Sequence, residues 1–179
     1  MSMDADALRH EIVELLPRLR RYAYALTGAR ADADDLLQTT VERLLLRGVP
    51  DDAHMSKWAF RVCKNIWIDE IRARNVRSTA AASGKASSEE RVDGERVIMD
   101  KLAFVEVNKA MGNLPDEQRA ALSLVALEGL SYAEAAETLG APIGTIMSRI
   151  ARARKTLTEI LKADFFVPDD DEISIGEKT

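Results

Sequence analysis

Residues 114–161 read LPDEQRAALSLVALEGLSYAEAAETLGAPIGTIMSRIARARKTLTEIL, and their punctuation decides the fold. Leu114-Pro115-Asp116-Glu117 opens a helix, because proline fits a first turn and the acids suit its positive end. Ala121, Leu122, Leu124, Val125 and Leu127 keep that helix apolar until Glu128-Gly129 stops it. Ser131-Tyr132-Ala133-Glu134 has the form of a capping box, with Ser at the N-cap and Glu three residues on. The short helix that follows carries Ala135 and Ala136, small enough for another helix to cross closely, and ends at Leu139-Gly140. Gly140 supplies the positive φ of a tight turn, and Pro142 stands where the next helix starts.

On that last helix Ile143, Ile146, Ile150, Ala153 and Leu157 are expected to face inward. Thr145, Ser148, Arg149 and Arg152 then fall on the outward face, with Met147 and Lys155 flanking it. A helix, a glycine turn and a second helix with an Arg/Ser/Thr face is the geometry of major-groove readers. Arg engages guanine bidentately, whereas Ser and Thr discriminate less and also serve phosphates. An ordinary helical hairpin explains the apolar stripe but not the polar face beside the turn.

Working outward, residues 56–77, SKWAFRVCKNIWIDEIRARNVR, predict a second unusual helix. Trp58, Arg61, Asn65, Ile68 and Arg72 share a face, and Ala59, Val62, Cys63 and Ile66 form an apolar one. Aromatics interleaved with Arg and Lys suit stacking on unpaired bases while the charges hold the backbone. Each tryptophan taken singly also reads as a core residue of a small bundle; at least one of the aromatics is expected on the surface. Before this helix, Ile12–Leu26 predicts one amphipathic helix and Ala31–Leu46 another. In the latter, Ala33, Leu36, Leu37, Val41, Leu44 and Leu45 mark a buried stripe and leave Asp34, Asp35, Gln38, Thr39 and Glu42 outside.

Residues 78–95, STAAASGKASSEERVDGE, hold no large apolar side chain except one Val and read as a flexible linker. The expected architecture is therefore all-α: helical domains over 1–77 and 96–163, with an acidic tail over 164–179. The net charge of −5 conceals two basic islands. From Lys57 to Arg77 six cations face Asp69 and Glu70, leaving +4; from Ile143 to Lys162 five face Glu159, again leaving +4. Two such islands in an acidic chain suggest two contacts with a polyanion, although either alone also fits a solvated helix face.

Other classes find little support. No apolar run approaches the roughly 20 residues that span a bilayer. The start, with Asp4, Asp6, Glu11 and Glu14, lacks the pattern of a secretory signal. The single Cys63 suits a reducing cytoplasm and reads as a small core residue. Cys63, His10 and His54 make no ligand set, so no metal or other cofactor is expected. Neither a nucleophile–base pair nor a phosphate-binding glycine loop is present, so the chain is not read as an enzyme.

Taken together, DADDLLQTTVERLL (32–45), SKWAFRVCKNIWIDEIR (56–72) and residues 114–157 resemble bacterial RNA polymerase sigma factors of the extracytoplasmic-function (ECF) group. ELLPRLRRYAYALTG (14–28) is similar to the alphaproteobacterial general-stress branch. The resemblance implies that Asp35, Gln38 and Glu42 grip the clamp helices of the polymerase largest subunit. It implies that Trp58, Arg61, Lys64, Asn65 and Arg72 meet the non-template strand of the −10 element. Thr145, Met147, Ser148, Arg149, Arg152 and Lys155 would read the −35 element, with the polymerase flap beside them, and the linker would run toward the RNA exit path. An anti-sigma protein is implied as a further partner, and the chain is expected as a cytoplasmic monomer when free, without membrane insertion.

Thr39 and Val41 depart from the family, which often has Glu and an aromatic there, and so does Met147, where Lys or Arg is common. The −35 readout then rests more on Ser148, Arg149 and Arg152. Two other readings share these elements: a sigma-like decoy that sequesters an anti-sigma protein without binding DNA, and a stand-alone helix-turn-helix regulator. A stand-alone regulator needs a dimer seam, and no heptad stripe provides one.

Overall fold

Seven helices follow one another in the computed structural model, which describes residues 5–80 and 98–164; no strand occurs among them. They are α1 (Ala5–Thr27), α2 (Arg30–Arg47), α3 (Met55–Ala80), α4 (Ile98–Gly112), α5 (Asp116–Ala126), α6 (Tyr132–Leu139) and α7 (Ile143–Asp164). The chain is all-α.

The first three form a bundle whose interior is set by the helical stripes. Leu19, Tyr22 and Leu26 of α1, Leu36 and Leu44 of α2, and Ala59, Phe60 and Cys63 of α3 are all essentially inaccessible. Tyr22 and Phe60 meet edge to face with centroids 5.2 Å apart. Thr40 is the polar member of this core and is satisfied locally, its hydroxyl donating to the Leu36 carbonyl at 2.7 Å. The stripe expected on α2 divides. Ala33, Leu36 and Leu44 are buried and Leu37 and Val41 partly so, but Leu45 is exposed, because α1 and α3 do not cover the side it points to.

The second half packs α5 and α6 against α7. Ala120, Ala121, Leu124, Ala135, Ile146, Ile150 and Ala153 make its interior, with alanines where helices approach closely. Ser131 and Glu134 form the expected capping box, and Gly140 takes φ 63° and ψ 40° at the turn. The Pro142 carbonyl accepts from the amides of Thr145 and Ile146 and so opens α7. Ile143, expected inside, is half exposed: it is the first residue of α7, and no neighbouring helix reaches back over it.

The expected linker began at Ser78, yet α3 continues through Ala80, since Ser78-Thr79-Ala80 contains no helix breaker and the Ser78 hydroxyl bonds the Asn75 carbonyl at 2.9 Å. The remainder of that linker and the acidic tail beyond Asp164 lie outside the described residues. The halves touch: α1 packs on α4 and α5, α3 packs on α6, and the buried apolar set runs from one half into the other.

Candidate polymerase and DNA interfaces

Three surfaces carry the residues singled out above. On α2 the three- and four-residue steps that bury Leu36, Thr40 and Leu44 turn Asp35, Gln38 and Glu42 outward, and all three are exposed. Gln38 and Glu42 edge an open apolar groove whose floor and walls are Leu16, Leu37, Val41, Leu45 and Leu46. Leu46, 77% exposed, and Val13, 58% exposed, extend apolar surface on these two helices. A rim of polar acceptors around exposed leucines suits a partner helix with apolar and cationic side chains.

Helix α3 divides its polar residues between solvent and the second half. Asn65 and Arg72 are exposed, and Arg72 lies 3.9 Å from Asp69 one turn away. Arg61 is not free. Its guanidinium lies 5.9 Å from the Trp58 ring centroid and donates to the carbonyls of Thr138, at 2.9 Å, and of Glu137 at the end of α6. Lys57 pairs with Glu137 at 2.6 Å, and Lys64 with Glu117 at 3.0 Å. The expected exposed aromatic is also missing: Phe60 and Trp67 are buried and Trp58 is half-buried. Trp67 lies beneath the buried Arg119 of α5, 5.9 Å from its ring, which the sequence of α3 alone cannot show.

At the helix-turn-helix, α7 presents Met147, Arg152 and Lys155 to solvent; Lys155 stands 4.0 Å from Glu159. Thr145 and Ser148 are half-buried, and the Ser148 hydroxyl donates to the Thr145 carbonyl at 2.9 Å. Arg149 reaches inward to Glu117 at 3.1 Å. Glu134 is held below the usual carboxylate range by the Ser131 amide and then by the Ser131 hydroxyl, which keeps the cap charged. Among the described residues no group of His, Cys, Asp and Glu is arranged to hold a metal ion, and no helix is long and apolar enough to cross a membrane.

Comparison with known proteins places the chain in a family. Residues 104–157 match the family model for region 4 of sigma-70, and residues 12–62 match that for the Sigma2 domain of PhyR. The chain is 35% identical over 170 residues to the ECF RNA polymerase sigma factor EcfG of Rhodopseudomonas palustris, covering 92% of each. The chain belongs to the ECF RNA polymerase sigma factors. Its likeness to the ECF sigma factor SigC of Mycobacterium tuberculosis is 39% over 128 residues, covering 70% of this sigma factor and 68% of SigC. Among solved structures it resembles the sigma factor RpoE in complex with the anti-sigma factor NepR from Bartonella quintana. That match has a TM-score of 0.74 and 29% identity, over 87% of this chain and 97% of that one. CnrH in complex with the cytosolic domain of CnrY superposes with a TM-score of 0.66 and 25% identity, over 90% and 92%.

Sequence reading missed the residues that join the two halves of this sigma factor. The Glu128 carboxylate has no exposed surface and accepts from Arg18 at 2.9 Å and Arg21 at 2.9 and 3.1 Å. Arg119 bonds the Leu26 and Met111 carbonyls, each at 2.6 Å, and Asn108 bonds the Gly28 carbonyl at 2.9 Å. Burial lowers the Arg119 pKa from its ordinary value, and nearby Asp116 partly offsets that. Glu128 had read only as a helix stop. Its partners lie 107 and 110 residues away, beyond the reach of any local pattern.

Proposed function

We propose that this sigma factor binds core RNA polymerase through the exposed strip of α2, reads the −35 element with α7 and captures the opened −10 strand with α3. The observation that carries the reading is the capped helix-turn-helix, whose turn at Gly140 leads into a helix presenting Met147, Arg152 and Lys155. In this reading residues 1–77 form the region that grips the polymerase clamp and melts the −10 DNA, and residues 96–163 the region that reads −35 beside the flap. Residues 78–95 tether them. Unstacking a base costs a few kcal/mol, which stacking and phosphate contacts from Trp58, Arg61, Lys64, Asn65 and Arg72 offset.

The groove beside Gln38 and Glu42 supports binding of a helix, from the polymerase clamp or from an anti-sigma protein such as that bound to the RpoE relative. The function is non-enzymatic and belongs in the cytoplasm with the polymerase.

Run-off transcription on sheared DNA of the source organism, with core polymerase with and without the protein, tests this. New start sites sharing −35 and −10 sequences are expected. Silence from competent polymerase and folded protein would favour the decoy, and operator binding without polymerase the stand-alone regulator. Within that assay, Arg149→Ala weakens −35 recognition by about 1–3 kcal/mol and relaxes specificity at one base pair. An equal loss on all sequences would make Arg149 a phosphate contact instead.

A further inference from the structure

Helix α7 sorts its exposed side chains along its length. Its leading turns present Ile143, 49% exposed, Gly144, and Met147, 50% exposed, with no charge among the three. The cations follow: Arg152, Arg154 and Lys155 are exposed from the third turn onward. The polar side chains of the leading turns are engaged elsewhere. The Ser148 hydroxyl donates to the Thr145 carbonyl at 2.9 Å, and Arg149 reaches Glu117 at 3.1 Å. Met147 stands between Gly144 and Ala151, three and four residues away on the same exposed face, and neither is long enough to cover it. A Cβ added at Gly144 would meet no neighbouring group within 4 Å, so this face is open.

A recognition helix meets base edges with its N-terminal residues, while cations suit the phosphates that position it. Here the leading residues are apolar. In the major groove the base edges carry donors, acceptors and one apolar group, the 5-methyl of thymine. We propose that Met147 is a specificity-determining residue of α7 that selects an A·T pair by packing its thioether chain on a thymine methyl. This rests on the reading of α7 as the −35 helix and adds to it the chemistry of one base pair. An unbranched chain with three rotatable bonds can adapt its reach to the methyl. A G·C pair has no such methyl, and its polar edge would lose water to an apolar side chain. Arg152, Arg154 and Lys155 hold the flanking phosphates, and no acid stands among residues 143–158 to oppose them.

The test uses the full chain with core polymerase to select bound duplexes from a random-sequence pool. The selected upstream motif should contain an A·T pair at which exchanging thymine for uracil, which removes only the methyl, weakens binding about fourfold. Met147→Ala should bind the thymine and uracil duplexes alike. Met147→Lys should move the preference at that pair toward G·C, since a cation of that length engages guanine O6 and N7. Both replacements fall at an exposed position and leave the buried Ile146, Ile150 and Ala153 untouched. Uracil that costs wild type nothing at every thymine of the motif, or costs wild type and Met147→Ala alike, overturns the proposal while leaving α7 a reader of DNA. A pool that yields no upstream motif overturns that reading of α7 first, and the role of Met147 with it.

Discussion

The interior of the α1–α3 bundle and the seam between the two halves are buried to similar depth by different chemistry. In the bundle, Leu19, Tyr22, Leu26, Leu36, Leu44, Phe60 and Cys63 meet one another with almost no charge among them. The seam also contains apolar contacts, but around them lie a buried carboxylate, a buried guanidinium and a set of ion pairs. Burying apolar surface stabilises by about 25 cal/mol per Å² whatever the orientation of the groups. Ion pairs instead gain little over their hydrated, separated state, because water solvates both partners well when they part. The difference teaches which contact is the fold and which is an arrangement of folded parts.

Breaking the bundle should have the largest effect. Phe60→Ala removes the ring that Tyr22 meets edge-on and that Arg18 covers at 5.3 Å, and should cost about 3–5 kcal/mol in denaturant unfolding. Cys63 reports the same core from within. Burial pushes its thiol from 9.0 up to about 12, so alkylation of the native protein waits on opening of the bundle. Phe60→Ala should speed that alkylation in step with its loss of stability; an unchanged rate would mean that Cys63 is exposed by a smaller motion. Because the folded thiol titrates above the unfolded one, its contribution is complete below pH 9 and is lost as pH rises toward about 12.

Breaking the seam should cost less and elsewhere. Glu128→Gln leaves Arg18 and Arg21 without their carboxylate, but their side chains are 40% and 51% exposed, so water takes over much of the interaction. The expected loss is about 1–3 kcal/mol, screened by salt, and it falls on the contact between halves. Cys63 alkylation should stay at the wild-type rate in this variant. If it accelerates as it does in Phe60→Ala, the seam and the bundle are one cooperative unit and the distinction between them fails.

The same distinction governs what could be read in the sequence. The capping box at Ser131, the turn at Gly140 and the stripe of Ile146, Ile150 and Ala153 were legible because their causes lie within a few residues. Periodicity gives the direction in which a side chain points but not what covers it, so Leu45 and Ile143 were expected inside and stand exposed. The expectation that at least one aromatic of α3 lies on the surface failed the other way, since the cover over Trp67 comes from Arg119 in the other half. Of the residues assigned to DNA, Asn65, Arg72, Met147, Arg152 and Lys155 face solvent, whereas Arg61 and Lys64 are drawn into the seam and Arg149 pairs with Glu117 inside the second half. The groups that draw them, the Glu117 carboxylate for Lys64 and Arg149 and the backbone carbonyls of Glu137 and Thr138 for Arg61, have no local signature in the sequence.

The smallest effect sharpens the comparison from the side of purely local structure. Ser131 accepts from the Glu134 amide at 3.2 Å and its own amide donates to the Glu134 carboxylate at 2.8 Å, both at the surface. Ser131→Ala removes the hydroxyl half of this box and should cost about 1 kcal/mol in thermal or denaturant unfolding, without altering Cys63 alkylation. The pH dependence identifies the other half. The folded Glu134 carboxyl titrates below its unfolded value, so its contribution is present above the unfolded pKa and is lost as pH falls through the folded one. Glu134→Gln should therefore match wild type more closely under acid than at neutral pH. A deficit that stays constant across that range would mean that the carboxylate's charge adds nothing to the cap.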